Sequence, residues 1–234
     1  IQAFLSAEDK AFYSHFGVDP RALLRAVVTN AMNYGTGRRP IGASTITQQV
    51  TKNFLLTNEV SIDRKIKEAI LSFRMERAFT KDQILALYLN EIYLGMGSYG
   101  VAAAALNYFD KSLDQLTLEE MAYLAALPKA PANYHPIRKT RAATIRRDWV
   151  LGEMQQNGFI TRDEARRARA MSLQIARQSG FDSAEAPYFA EEVRREVLSR
   201  FGEDMLYAGG LSVRTTLDPE LQHAARMALQ RGLE

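Results

Sequence analysis

Thr80-Lys81-Asp82-Gln83-Ile84-Leu85-Ala86-Leu87-Tyr88-Leu89-Asn90-Glu91-Ile92-Tyr93-Leu94-Gly95 reads as one helix from start signal to stop signal. A Thr followed three residues later by Gln is a capping box, in which two backbone donors are satisfied reciprocally. Ile84, Leu87, Tyr88, Glu91 and Ile92 then recur at helical spacing until Gly95. The same pattern returns along the chain. Thr117 to Glu120 is a second box, opening an apolar helix that Pro128 closes, and Thr161 to Glu164 is a third, starting an Arg-rich helix. Ser6 is expected to cap a helix through Phe16, ended by Gly17 and restarted after Pro20. Asn30 to Pro40 reads as a loop. The chain is mostly helical on this reading.

Its character changes after about residue 170. Residues 182–206 hold seven acidic and three basic side chains, whereas 138–169 hold nine basic and four acidic, so the two stretches face different surroundings. Leu211 to Leu217 alternates Thr with aliphatic residues as a strand does, and Asp218-Pro219 fits an N-cap with Pro at the first helical position. The tail therefore reads as a small mixed α/β linker.

Composition narrows the function classes. At 234 residues the chain suits one large domain, or one domain plus an appendage. It has no Cys, which removes disulfide scaffolds, thiolate metal sites and cysteine nucleophiles. His15, His135 and His223 lie far apart, against a multi-histidine zinc site. A net charge of +3 implies only mild attraction to polyanions. The basic stretch 138–169 carries regular acidic residues and few aromatics, so no nucleic-acid partner is expected. The densest small-apolar run, Val101 to Leu106, is far short of the about 18 residues of a membrane span. Opening on Ile1 without a signal peptide, the chain is expected to be an excised piece of something longer.

Three segments carry candidate chemistry. On a helix through Glu8-Asp9-Lys10-Ala11-Phe12-Tyr13-Ser14-His15-Phe16-Gly17, Glu8, Phe12 and His15 share a face. A carboxylate over aromatic surface has a raised pKa suited to proton transfer. The competing reading is an acidic first turn favoured by the helix dipole, with His15 structural. Gly42-Ala43-Ser44-Thr45-Ile46-Thr47-Gln48-Gln49-Val50-Thr51-Lys52-Asn53 offers hydroxyl, amide and ammonium groups without an acid. That is a surface for sugar or phosphate, or else a solvated helix face. In Asp63-Arg64-Lys65-Ile66-Lys67-Glu68, Arg64 and Glu68 lie four apart with Lys65 beside them. Two cations beside one carboxylate favour its ionised form, whether as a phosphate site or as a plain helical salt bridge. Gly97 to Ala105, a glycine-flanked turn and a run of small side chains, reads as close packing.

In this order the segments resemble the peptidoglycan glycosyltransferase domain of bifunctional (class A) penicillin-binding proteins. Its motifs stand here as Glu8 to Gly17, Gly42 to Asn53, Arg64 to Glu68, Lys81 to Gly95 and Tyr99 to Lys111. The resemblance covers residues 1–155. Residues 156–234, with Thr215-Thr216-Leu217-Asp218-Pro219, look like the family's linker towards an absent transpeptidase domain. Three positions depart from the pattern: Ala86 where Glu is frequent, Met96 for a frequent Arg, and Asp110 for a frequent Gly. No Ser-x-x-Lys or Lys-Thr-Gly motif occurs, so the penicillin-binding chemistry is missing from this piece.

The resemblance implies a mainly α, lysozyme-like fold and a peptidoglycan polymerase that joins lipid II to a growing glycan strand. The expected place is the outer face of the bacterial inner membrane, with the anchor absent here and unidentified cell-wall synthesis proteins as partners. It implies Glu8 as the base. Lys52, Arg64 and Lys65 would stabilise the leaving pyrophosphate, and Ser44, Thr45, Gln48 and Gln49 would bind sugar and phosphate oxygens. Glu68 would assist on the phosphate side, by orienting the cations or through a divalent metal (Mg or Mn) shared with Asp9. Apolar residues from Phe54 to Leu56, or in the loop after them, would touch the bilayer. The rival is a glycan-cleaving lytic transglycosylase or muramidase, which shares the fold and one Glu but has no use for the cation cluster.

Overall fold

The computed structural model describes residues 1–33, 35, 42–55, 62–176, 186–207, 211, 213 and 215–233. Its helices are α1 (Gln2–Glu8), α2 (Pro20–Met32), α3 (Ile46–Leu55), α4 (Ile62–Ala78), α5 (Lys81–Glu91) and α6 (Val101–Phe109). They continue as α7 (Leu118–Ala126), α8 (Thr140–Gln156), α9 (Arg162–Ala170), α10 (Pro187–Tyr207, kinked at Gly202) and α11 (Pro219–Leu233). Among the described residues no strand forms, and the fold is mainly α as the capping pattern predicts.

All three capping boxes are present, starting α5, α7 and α9. Asp218 caps α11, its Oδ1 accepting from the Glu220 and Leu221 amides at 2.9 and 3.1 Å. Of the strand expected over Leu211 to Leu217, residues 212 and 214 lie outside those described, and the described residues take neither helix nor strand. Alternating aliphatics specify a strand only where a partner edge exists to bond it.

The helix expected from Ser6 to Phe16 is also corrected. Ser6 lies buried inside α1, accepting from Asn157 Nδ2 at 3.1 Å, and α1 stops at Glu8. A single 3₁₀ turn, Phe12–Ser14, carries the chain on to His15. The reason is Asp9, whose carboxylate takes His15 Nε2 at 2.9 Å and the Ile46 amide at 3.0 Å. A continuous helix would separate Asp9 from His15 by nearly two turns and break that buried pair.

The core is built on α7, whose Ala122 to Ala126 are all buried and pack against α1, α6 and α8. The rings of Tyr108, Phe109 and Tyr123 meet edge to face or tilted. The hydroxyls of Tyr108 and Tyr123 donate to Leu94 O and Tyr134 O, each at 2.8 Å, so these aromatics enter the core without orphaned polar atoms. The small-residue turn before α6 is a packing device. A Cβ on Gly100 (φ 79°) would lie 2.3 Å from Asn90 O. Asp110 takes the left-handed conformation (φ 54°) that ends α6.

The basic stretch 138–169 is not one solvated face. Arg147 is 1% exposed and donates to Met171 O at 2.7 Å and Arg169 O at 3.2 Å, satisfying carbonyls at the end of α9. Thus α9 packs on α7 and α8 and contributes Ala168 to the core.

Candidate active site

Glu8 is the last residue of α1, not in a first turn, so the dipole reading of it falls. It is half-buried, and Gln49 Nε2 of α3 donates to its Oε2 at 2.8 Å. Burial pushes the Glu8 carboxyl above the usual range. The Gln49 hydrogen bond and the charges of Arg146 and Lys129 pull it back, and Asp9 pushes it up again. Beneath lies Tyr88, buried, with no hydrogen-bond partner for its hydroxyl among the described residues. Burial, with the charges of Glu8 and Asp9, raises that phenol well above its ordinary value.

Asp9 does something different. Held by His15 and by the first amide of α3, it ties the end of α1 to the start of α3. His15 is the structural residue its aromatic neighbours suggested.

The second motif divides between structure and site. Thr45 and Gln48, both buried, cap α3: the Thr45 amide donates to Gln48 Oε1 at 3.0 Å and the Gln48 amide to Thr45 Oγ1 at 3.1 Å. Thr45 Oγ1 also donates to Gly17 O at 2.6 Å. Gly17 itself must lack a Cβ, which would come within 2.8 Å of the Ser72 backbone. Thr47 donates to Glu76 Oε1 at 2.6 Å, and Thr51 meets Ser72 Oγ at 3.2 Å. Thr45 and Gln48 thus cap α3, and Thr45 lines a cleft with Ser44 and Glu8. Lys52, in the last turn of α3, is exposed and makes no ion pair among the described residues.

The third motif folds as its spacing predicts. Glu68 of α4 is 2% exposed and is held by Lys65 Nζ and, at 3.5 Å, by Arg64 Nη1. Lys65 Nζ also donates to Ser44 Oγ at 2.9 Å, tying the second motif to the third. Both oxygens of Glu68 and both of Asp9 already accept protein donors. Among the described residues no three His, Asp or Glu side chains gather as metal ligands. The pair does not fit a shared divalent metal.

A cleft of about 400 Å³ holds Glu8, Lys10, Arg21, Ser44, Trp149 and Glu153 in its walls. Half of this wall escaped the sequence reading. Trp149 and Glu153 of the wall, with Arg146 behind Trp149, recur at helical spacing along α8, and Asn157, which ends α8, bonds Ser6 of α1. That 3–4 spacing was the available signal, hidden because each residue by itself suits a solvated basic helix. Lys129, in the loop after α7, carried no signal.

The Transglycosylase family matches residues 1–155. The chain belongs to the transglycosylase family. This transglycosylase chain is 50% identical to penicillin-binding protein 1A of Rickettsia conorii, 44% to that of Aquifex aeolicus and 42% to that of Escherichia coli. All of this chain is covered in each comparison, and 30%, 31% and 27% of those relatives. It thus spans about a third or less of their length. A 2.6 Å crystal structure of penicillin-binding protein 1A from Haemophilus influenzae is 34% identical over 78% of this chain and 24% of that one, with a TM-score of 0.43. As a family member the transglycosylase chain is an enzyme domain that transfers glycosyl groups, on a mainly α fold.

Proposed function

We propose that this domain polymerises lipid II into β-1,4 glycan strands, with Glu8 as the general base. The observation that carries this is one cleft holding a carboxylate of raised proton affinity and Ser44, which is bonded to the Lys65–Arg64–Glu68 cluster. Glu8 takes the proton from the 4-hydroxyl of the acceptor's N-acetylglucosamine. The oxygen attacks the donor's anomeric carbon from the face opposite the leaving group, as the new C–O bond forms and the bond to pyrophosphate breaks. Configuration inverts, and undecaprenyl pyrophosphate leaves with its charge met by Lys65, Arg64 and Lys52. Glu68 keeps the two α4 cations in place.

Lysis is the weaker reading, because a hydrolytic site has no pyrophosphate for this cation cluster to meet. Residues 156–234 are the linker towards a transpeptidase domain, and the site of action is the outer face of the inner membrane, among cell-wall synthesis proteins. No described helix is long and apolar enough to cross a membrane. The bilayer contact expected at Phe54 to Leu56 and in the following loop falls outside the described residues: the Phe54 and Leu55 side chains and residues 56–61. Instead α2 offers Leu23, Leu24, Val27, Val28 and Met32, all exposed, as a lipid-facing stripe.

The test is incubation with labelled lipid II and size analysis of the product. Long glycan strands are expected. No reaction, or shortening of preformed glycan, would overturn the reading.

A further inference from the structure

We infer that Trp149 is a stacking platform for an N-acetylhexosamine ring of the acceptor, beside Glu8; this rests on the polymerase reading above. The register of α8 separates two faces. Val150 and Leu151 are wholly buried in the core, whereas Trp149 is 40% exposed and lines the cleft that holds Glu8. A large ring left 40% exposed on the wall of a cleft is not accounted for by core packing.

Its orientation is fixed from behind. The Arg146 guanidinium stacks on the indole, its Cζ 3.8 Å from the ring centroid, so one face is closed by a cation. The indole also lines the open cleft. One turn along α8, Glu153 pairs with Lys10, and both side chains line the same cleft. A pyranose has a face of C–H groups and a rim of hydroxyls. An indole flanked by a carboxylate and an ammonium group matches both.

The site also assigns which sugar. Glu8, on this cleft, removes the proton of the attacking hydroxyl, so the ring that carries that hydroxyl lies against it. The cations for the leaving group enter from another wall, through Ser44 and Lys65. Trp149 stands on α8, apart from that wall, and so belongs to the acceptor.

Trp149 is the sole tryptophan, so its fluorescence reports this subsite directly. Titration with the N-acetylglucosaminyl-N-acetylmuramic acid disaccharide should change the emission saturably, and inorganic pyrophosphate should leave it unchanged. In polymerisation assays Trp149→Ala should raise KM for lipid II by roughly 3–10-fold with a smaller change in kcat, and Trp149→Phe should recover most of the loss. An unchanged KM in a Trp149→Ala protein of parental helical content overturns the platform. So does an emission response to pyrophosphate and none to the disaccharide. If the parent protein fails to polymerise lipid II, the polymerase reading falls, and the disaccharide titration of the parent protein still decides whether Trp149 binds sugar.

Discussion

Gln49 Nε2 donates a 2.8 Å hydrogen bond to Glu8 Oε2, joining the first half of α3 to the last residue of α1. The bond favours the charged carboxylate against the burial that opposes it. Gln49→Leu should therefore raise the proton affinity of Glu8 further. Since the base acts only when ionised, the acidic limb of kcat/KM should move to higher pH, with activity recovering on the alkaline side. A limb that stays in place, or moves to lower pH, would remove Gln49 from this role.

Glu8→Gln keeps shape and hydrogen bonding but not basicity. Turnover should fall by roughly 10²–10⁴-fold, while a phosphoglycolipid inhibitor binds nearly as before. Stability should move the other way. A carboxyl whose folded value is raised holds its proton more tightly in the folded chain, so its contribution is full below the ordinary carboxylate range and lost as pH rises through the folded value. Near pH 7 the parent therefore bears the cost of a buried charge. Melting curves should show Glu8→Gln at least as stable as the parent at roughly pH 7, the difference vanishing below roughly pH 4.

Glu68 and Lys52 should fail differently from Glu8. Glu68→Gln loosens Lys65 and Arg64, so it should weaken binding of phosphate-bearing ligands together with turnover. Lys52→Ala should lose turnover by roughly tenfold to a thousandfold. Its melting should be nearly parental, since an exposed Lys contributes within about 0.5 kcal/mol. Calorimetric titration with a phosphoglycolipid, run beside kcat, separates these outcomes from simple loss of fold. Intact ligand binding in Glu68→Gln would count against the phosphate-side role.

Asp9 is expected to matter for folding rather than for metal. Asp9→Ala leaves His15 and the Ile46 amide buried without their acceptor, a loss of about 1–3 kcal/mol for each orphaned donor, readable by denaturant titration. A chelator should leave the parental melting temperature unchanged. A drop on chelation would reopen a metal held by Asp9.

The α2 stripe should govern contact with lipid. Leu24→Glu with Val28→Glu replaces two exposed apolar side chains, so the fold should persist while flotation with anionic liposomes falls several-fold. Flotation equal to the parent would place the lipid contact elsewhere.

Several local signals were legible, though the Ser112–Gln115 capping box was missed. Three capping boxes, the Pro after Asp218, and the Arg64–Glu68 spacing each involve groups within four residues, where helix geometry alone dictates contact. Glu8 was legible as a carboxylate, but its helix was misread, because the residue that ends α1 acts through Ile46, thirty-seven positions away. The polar second motif read either as a ligand surface or as a solvated helix face. Burial then assigned Thr45, Thr47, Gln48 and Thr51 to the protein's own hydrogen bonds.

The sequence by itself determined that the chain is helical, where α2, α5, α7, α9 and α11 start, and which residue types offer candidate chemistry. These follow from propensity, capping and short-range spacing. Only the tertiary structure decided which polar groups line the cleft and which bond within the fold, and it alone brought Arg146, Trp149 and Glu153 of α8 to Glu8. Burial and proximity across more than a hundred residues depend on how helices pack, and the spacing within any one helix does not encode its partner.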